Sequence, residues 1–194
     1  MPGTKPSISR RAAVVLPLAI AGLGGAAAWR LLGRMEQGTY DPRALPSTLI
    51  GKKLPGFDLA ALATAGEPAS APLTSAEIVA TNRPVLVNFF ASWCAPCIEE
   101  APVMMQLKAR GVPIYGIAYK DSPVHAQRFL ERQGNPYVRV GTDIGGAVGI
   151  NFGLYGVPET YAVDPAGVVR HRWTGPITDE IASSMLFPLL KRLA

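Results

Sequence analysis

The sequence predicts an α/β domain, a central mixed sheet flanked by helices, carried behind an N-terminal transmembrane helix. Three observations lead there: an uncharged run of 18 residues from Ala12 to Trp29, strand-like and helix-like segments that alternate from residue 84 onward, and two closing strands joined at Pro165-Ala166-Gly167. Leu31 and Leu32 extend the apolar run around Arg30 to the roughly 20 residues that a spanning helix needs. Lys5, Arg10 and Arg11 precede it, so the positive-inside tendency puts a tail (1–11) in the cytoplasm, an anchor at 12–32, and the rest across the membrane. A signal peptide cut after Ala26-Ala27-Ala28 competes with the anchor, although the run exceeds the usual signal core of about 7 to 15 residues. Arg10-Arg11 also invites a twin-arginine reading, which the small Ala12 and Ala13 disfavour. Each of these readings exports the domain.

Residues 33–53 carry Gly38, Pro42, Pro46 and Gly51 without sustained periodicity and read as a linker, leaving 54–194 as the folded domain. After a short strand at 57–59, the Ala/Ser/Pro/Gly-rich stretch 64–76 reads as a surface loop. PVLVNFFA (84–91) reads as a strand. A helix starting near Cys94, the strand VPIYGIAY (112–119) and a helix over 123–133 complete a βαβ unit. A short strand at 137–140, a helical turn at 144–150, a hairpin of TYAVD (160–164) with VVRHRWT (168–174), and a last helix from about Thr178 follow.

The formal charge of +5 is confined to the front: residues 1–34 hold Lys5, Arg10, Arg11, Arg30 and Arg34 with no acid, and the remaining chain balances 14 basic against 14 acidic residues. A basic nucleic-acid-binding domain is thereby disfavoured. Two cysteines are too few for a multi-disulfide scaffold or a four-thiolate zinc site, and His125 and His171 make no recognisable ligand pair, so no metal or cofactor is expected.

Cys94 and Cys97 stand three positions apart where the strand 84–91 gives way to a helix whose apolar positions Ile98, Ala101 and Met105 follow at helical spacing. At a helix N-terminus, unpaired N–H groups and the dipole favour a thiolate, drawing a thiol down from about 8.5 toward neutrality. Cys94 is then the expected nucleophile and Cys97 the resolving thiol in a two-electron exchange. Pro96 suits the first turn, where the donor that it lacks has no partner. An inert structural disulfide is the bland alternative, but a loop this short adds little stability.

FFASWCAPC resembles the active-site segment of the thioredoxin superfamily, and Pro102 is similar to that family's kink-forming helix proline. More narrowly, VLVNFFASWCAPCIEEAP, GIAYKD, GNPY and GLYGVPETYAVDPAGVVRHRWTG resemble the membrane-anchored cytochrome c maturation thioredoxins of the CcmG/DsbE type, a likeness spanning roughly residues 54–190. The resemblance implies a thioredoxin-like fold and further roles at the site. Pro158 would be the family's cis-proline, leaving the backbone of Val157 free to pair with a substrate peptide. Glu100 would manage the protons of Cys97, although taken alone, beside Glu99, it reads equally as a solvated helix residue. Glu159 would lie at the same mouth, with a surface loop charge as the alternative. Asn88 stands where ordinary thioredoxins carry a buried acid, so proton handling would shift to Glu100 and Glu159. Trp93 would cover the thiol pair, or simply pack.

The function so implied is a periplasmic thiol:disulfide interchange protein of the bacterial inner membrane, acting as a monomer. It would reduce the disulfide of the haem-attachment cysteines of apocytochrome c, beside haem-ligation components, and be re-reduced by a transmembrane donor of the DsbD or CcdA type. Other exported thioredoxin-like reductases, a DsbA-like oxidant, and a noncatalytic module that holds apocytochrome or metal are the alternatives.

Overall fold

The computed structural model describes residues 10–36, 47–63 and 71–194, with side chains from Leu16 to Gly33 in the first stretch. The tail before Arg10, residues 37–46 of the expected linker, and residues 64–70 of the expected surface loop lie outside the described residues. The chain divides into two compact units, Met1–Ala44 and Leu45–Ala194.

The first unit contains α1, Arg10–Glu36, a 27-residue helix. At 1.5 Å per residue it is roughly 40 Å long, more than the ~30 Å hydrocarbon core of a bilayer. Its Leu16–Gly33 stretch has a mean hydropathy of 1.3 and is long and apolar enough to cross a membrane. Leu16, Leu18, Ile20, Leu23 and Trp29 all stand exposed on it. Apolar residues on all sides of a helix suit a lipid surround.

The second unit is built on a five-stranded sheet in the order β5-β4-β3-β6-β7. Its strands are β3 (Val85–Phe90), β4 (Ile114–Tyr119), β5 (Arg139–Asp143), β6 (Glu159–Val163) and β7 (Val169–Thr174). β3, β4 and β5 run parallel, while β6 pairs antiparallel with both β3 and β7. The sheet is therefore mixed, as expected. The crossovers are α3 (Ala95–Ala109) and α4 (Pro123–Gln133). Both advance the sheet in the same direction, and crossovers of one hand then put both helices on one face.

Every residue of β3 is buried, because both sheet faces are covered. Leu86 and Phe90 pack with Met104 and Leu107 of α3, Phe129 and Leu130 of α4, and Leu186 near the C-terminus. Val85, Val87 and Phe89 point the other way, to Leu59, Leu73, Ile78, Phe152 and Tyr161. Phe152, from α5 (Ala147–Phe152), sets its ring edge-on to Phe89 at 4.9 Å.

Four local outcomes differ from the sequence reading. Residues 71–76, expected within a surface loop, begin β2 (Leu73–Thr74) and α2 (Ser75–Ala80), with β2 pairing antiparallel to β1 (Asp58–Leu59). Burying Leu73 and Ile78 completely outweighs the loop-like composition. The fifth strand starts at Arg139 rather than 137, since the Tyr137 side chain turns into the core instead of joining the ladder. Residues 49–53, expected in the linker, are tied to the hairpin: Gly51 N–H donates to Val169 O at 2.8 Å and Val169 N–H to Lys52 O at 2.9 Å. The final helix is also interrupted, with α6 (Asp179–Ile181) and α7 (Phe187–Leu193) joined by a π-helical turn at Ala182–Leu186.

Candidate active site

β3 delivers the chain to the cysteines through a turn held at both of its residues. Ser92 donates its backbone N–H to Asp121 Oδ2 at 2.6 Å and its hydroxyl to Oδ1 at 3.0 Å. Trp93 Nε1 donates to Lys120 O at 3.1 Å, and its residue is 60% exposed. Cys94 is the N-cap of α3, and its Sγ accepts the Cys97 N–H at 3.2 Å. The pair is joined as a disulfide, with its Cα atoms 5.3 Å apart. Pro96 lies in the first helical turn, the place the sequence suggests, and is exposed.

One turn further along α3, Glu100 points inward and is 2% exposed. Asn88 Nδ2 donates to its Oε1 at 3.0 Å and the Ile177 N–H to its Oε2 at 3.0 Å. Desolvation outweighs both bonds and pushes its pKa from 4.5 up to about 7. The solvated alternative is thus excluded by placement. Asn88 is itself held from three sides: its second amide bond goes to Thr160 Oγ1 at 2.9 Å, and its Oδ1 accepts the Tyr137 hydroxyl at 2.7 Å. Cys97, Glu100, Tyr137, Phe90 and Phe129 line a cavity on the scale of one water molecule.

The Val157-Pro158 bond is cis, and Val157 packs against the cluster that contains both cysteines. Glu159 follows, 1% exposed and so not a surface loop charge. It sits on the opposite face of the sheet from Glu100, among Tyr161 and Phe152. There it accepts hydrogen bonds from the Tyr161 hydroxyl and, at 3.3 Å, from the Tyr155 N–H, with Arg172 3.6 Å away. Desolvation holds its carboxyl above the usual range. The two acids expected at one mouth are therefore separated by the thickness of the sheet.

Among the described residues, no three of His, Cys, Asp and Glu converge as metal ligands. Sequence reasoning missed Tyr137, Thr160, Ile177 and Asp121. Tyr137 and Asp121 fall in the quoted segments GNPY and GIAYKD, so a signal existed without a geometry to read it.

The redoxin family matches residues 49–186. The chain is similar to the thiol:disulfide interchange protein HelX of Rhodobacter capsulatus, 43% identical over 150 residues that cover 77% of this chain and 82% of that one. It is similar to the thiol:disulfide interchange protein DsbE of Escherichia coli K12, 34% identical over 184 residues covering 94% and 96%. Among solved structures, MTB dsbF, in its mixed oxidized and reduced forms, superposes with a TM-score of 0.58 at 25% identity, over 71% of this chain and 95% of that one.

Proposed function

The chain belongs to the redoxin family as a thiol:disulfide oxidoreductase of the DsbE type, and from that premise we propose that it reduces the disulfide of apocytochrome c haem-attachment cysteines outside the bacterial inner membrane. The observation that carries this reading is the Cys94–Cys97 disulfide at the N-terminus of α3 with Glu100 buried one turn behind it.

The cycle begins with the pair reduced. Cys94, as thiolate, attacks one sulfur of the substrate disulfide, forming a mixed disulfide and releasing the other substrate sulfur, which takes up a proton. Cys97 then loses its proton to Glu100 and attacks Cys94 Sγ, which expels the second substrate thiol and closes the Cys94–Cys97 bond. Two electrons have passed to the substrate, whose two sulfurs leave as thiolates and take up one proton from solvent and the Cys97 proton that Glu100 gives back. A carboxyl poised near neutrality suits this task, since it accepts a proton as a carboxylate and gives it up again at the same pH. Val157, beside cis-Pro158, offers backbone for an extended substrate peptide, and Trp93 provides an apolar rim. Glu159 supports the loop before Pro158 from the far face through the Tyr155 N–H.

The resulting disulfide is re-reduced by a transmembrane thiol donor of the DsbD or CcdA type. Helix α1 anchors the domain in the inner membrane, with residues 1–11 cytoplasmic and 54–194 periplasmic. Anchoring raises the effective concentration of the domain near both the donor and the haem-ligation components.

The test is the equilibrium potential of Cys94/Cys97 in the full chain, titrated against thiol–disulfide buffers. It is paired with stoichiometric reduction of an oxidised Cys-x-x-Cys-His peptide. A potential close to that of thioredoxin, about −270 mV, with peptide reduction supports an electron donor, whereas one close to that of DsbA, about −120 mV, identifies an oxidant and overturns the reading.

A further inference from the structure

We propose that Tyr137 is a positioning residue for proton transfer at the active site: by donating its hydroxyl to Asn88 Oδ1 it fixes the Asn88 amide with N–H toward Glu100, and so holds Glu100 as a proton acceptor. This inference rests on the proposed role of Glu100 and deepens it.

An amide side chain can be turned end for end with little change of shape, and the neighbours decide which end faces which. As placed, Asn88 receives one hydrogen bond and gives two, to Thr160 and to Glu100. In the turned state Oδ1 would face Glu100, which suits only a protonated carboxyl that donates. The amide nitrogen would then face the Tyr137 oxygen, and the phenol proton would lose its acceptor inside the core. A buried donor without a partner is disfavoured, so the Tyr137 O–H selects the orientation that stabilises the carboxylate.

Tyr137 is suited to this by position. Its ring stacks on Phe90 at 4.9 Å and lies over Gly116 of β4, where an added Cβ would meet ring carbons at 2.8 Å. Burial, and then the Glu100 charge, hold its pKa well above the usual tyrosine value, so it remains an O–H. Several groups face Glu100. Cys97 comes from its own helix, Asn88 from β3, Tyr137 from the loop before β5, Phe129 from α4, and the Ile177 N–H from the loop after β7. On the same sheet face, β7 carries His171, whose ring meets that of Trp173 at a tilt, 4.3 Å between centroids, and which is held below the usual histidine value by burial. Asp179 and Glu180 of α6 are exposed.

The test is the carboxyl titration of Glu100 in the full oxidised chain, followed by carbon-13 NMR and assigned by the signal lost in Glu100→Gln. Tyr137→Phe is expected to raise the midpoint by on the order of one pH unit, equivalent to tenfold slower Cys97 attack at the acid end. It should add nothing once Asn88→Ala is present. An unmoved midpoint, or an equal shift with and without Asn88, overturns the proposal. Should Tyr137→Phe not fold, 3-fluorotyrosine labelling makes the phenol a stronger donor and should lower the midpoint; no change overturns the proposal equally. The pH profile of mixed-disulfide resolution separates this inference from the reading beneath it. An acid limb lost in Glu100→Gln but unmoved in Tyr137→Phe sinks the role of Tyr137 alone. A limb that survives in Glu100→Gln sinks the proton-acceptor role of Glu100 and, with it, the catalytic consequence drawn here.

Discussion

Glu100 is a carboxylate that the fold keeps at an energetic cost, and the sign of that cost fixes a pH dependence. Its pKa in the folded chain, about 7, stands above the 4.5 of an exposed glutamate. The neutral form therefore contributes stability that is fully present below about pH 4.5 and is lost as pH rises through about 7. Integrated over that window the loss is about 3 kcal/mol. Glu100→Gln is expected to remove this slope, so that urea unfolding measured at pH 4.5 and pH 8 differs less in the variant than in the parent. Glu159, raised in the same direction, leaves a residual slope in both. An Asn rather than an acid at position 88 fits the same logic, because a second buried carboxylate 3.0 Å from Glu100 would oppose its ionisation.

Strand β4 shows how an element rather than a single side chain shapes the site. Gly116 lies opposite Asn88 in the parallel pairing of β3 and β4, and its missing side chain leaves the space that the Tyr137 ring fills. Gly116→Ala is expected to destabilise the fold by about 1–3 kcal/mol, because the ring cannot retreat from between Phe90 and the strand. Its displacement should raise the Glu100 midpoint in the same direction as loss of the Tyr137 hydroxyl. Thermal unfolding together with the carboxyl titration checks both. The turn between β3 and α3 is governed likewise from the next strand: Lys120 and Asp121, just past β4, hold Ser92 and Trp93. The exposed apolar rim is thus fixed by a neighbouring element and not by the cysteine helix.

At the scale of the whole chain, charge and hydropathy are segregated between the two units. The excess of positive charge lies before residue 35, around an apolar helix, while residues 35–194 sum to zero. A single helix that carries an apolar surface all round should hold the chain in a bilayer against agents that strip only peripheral proteins. After alkaline carbonate treatment of membranes, the full chain is expected in the pellet, and a chain beginning at Leu45 in the supernatant. Release of the full chain would count against the anchor, whereas release of a chain shortened at its N-terminus would favour cleavage of the leading segment.

The chemistry was legible because it is local. A strand, a Cys-x-x-Cys and a helix occupy 84–109 without interruption, so spacing and periodicity alone carry the disulfide, its helix N-terminus, and the order of the elements. The apolar helix was equally plain from a run of one chain segment. The short elements β2 and α2 escaped, although Thr74-Ser75-Ala76-Glu77 has the pattern of a helix cap and Thr74 does accept the Glu77 N–H at 3.1 Å. Their stability comes from Leu73 and Ile78 meeting the far face of the sheet, a contact between distant parts of the chain. Long-range placement likewise decided the acids. Glu100 and Glu159 look alike in sequence, each near a site motif, and only the pleat of β6 and the inward face of α3 send them to opposite sides of the sheet. The Tyr137–Asn88–Glu100 contacts span 49 and 12 positions. No local pattern encodes such a set, because its geometry exists only once three separate elements have packed together.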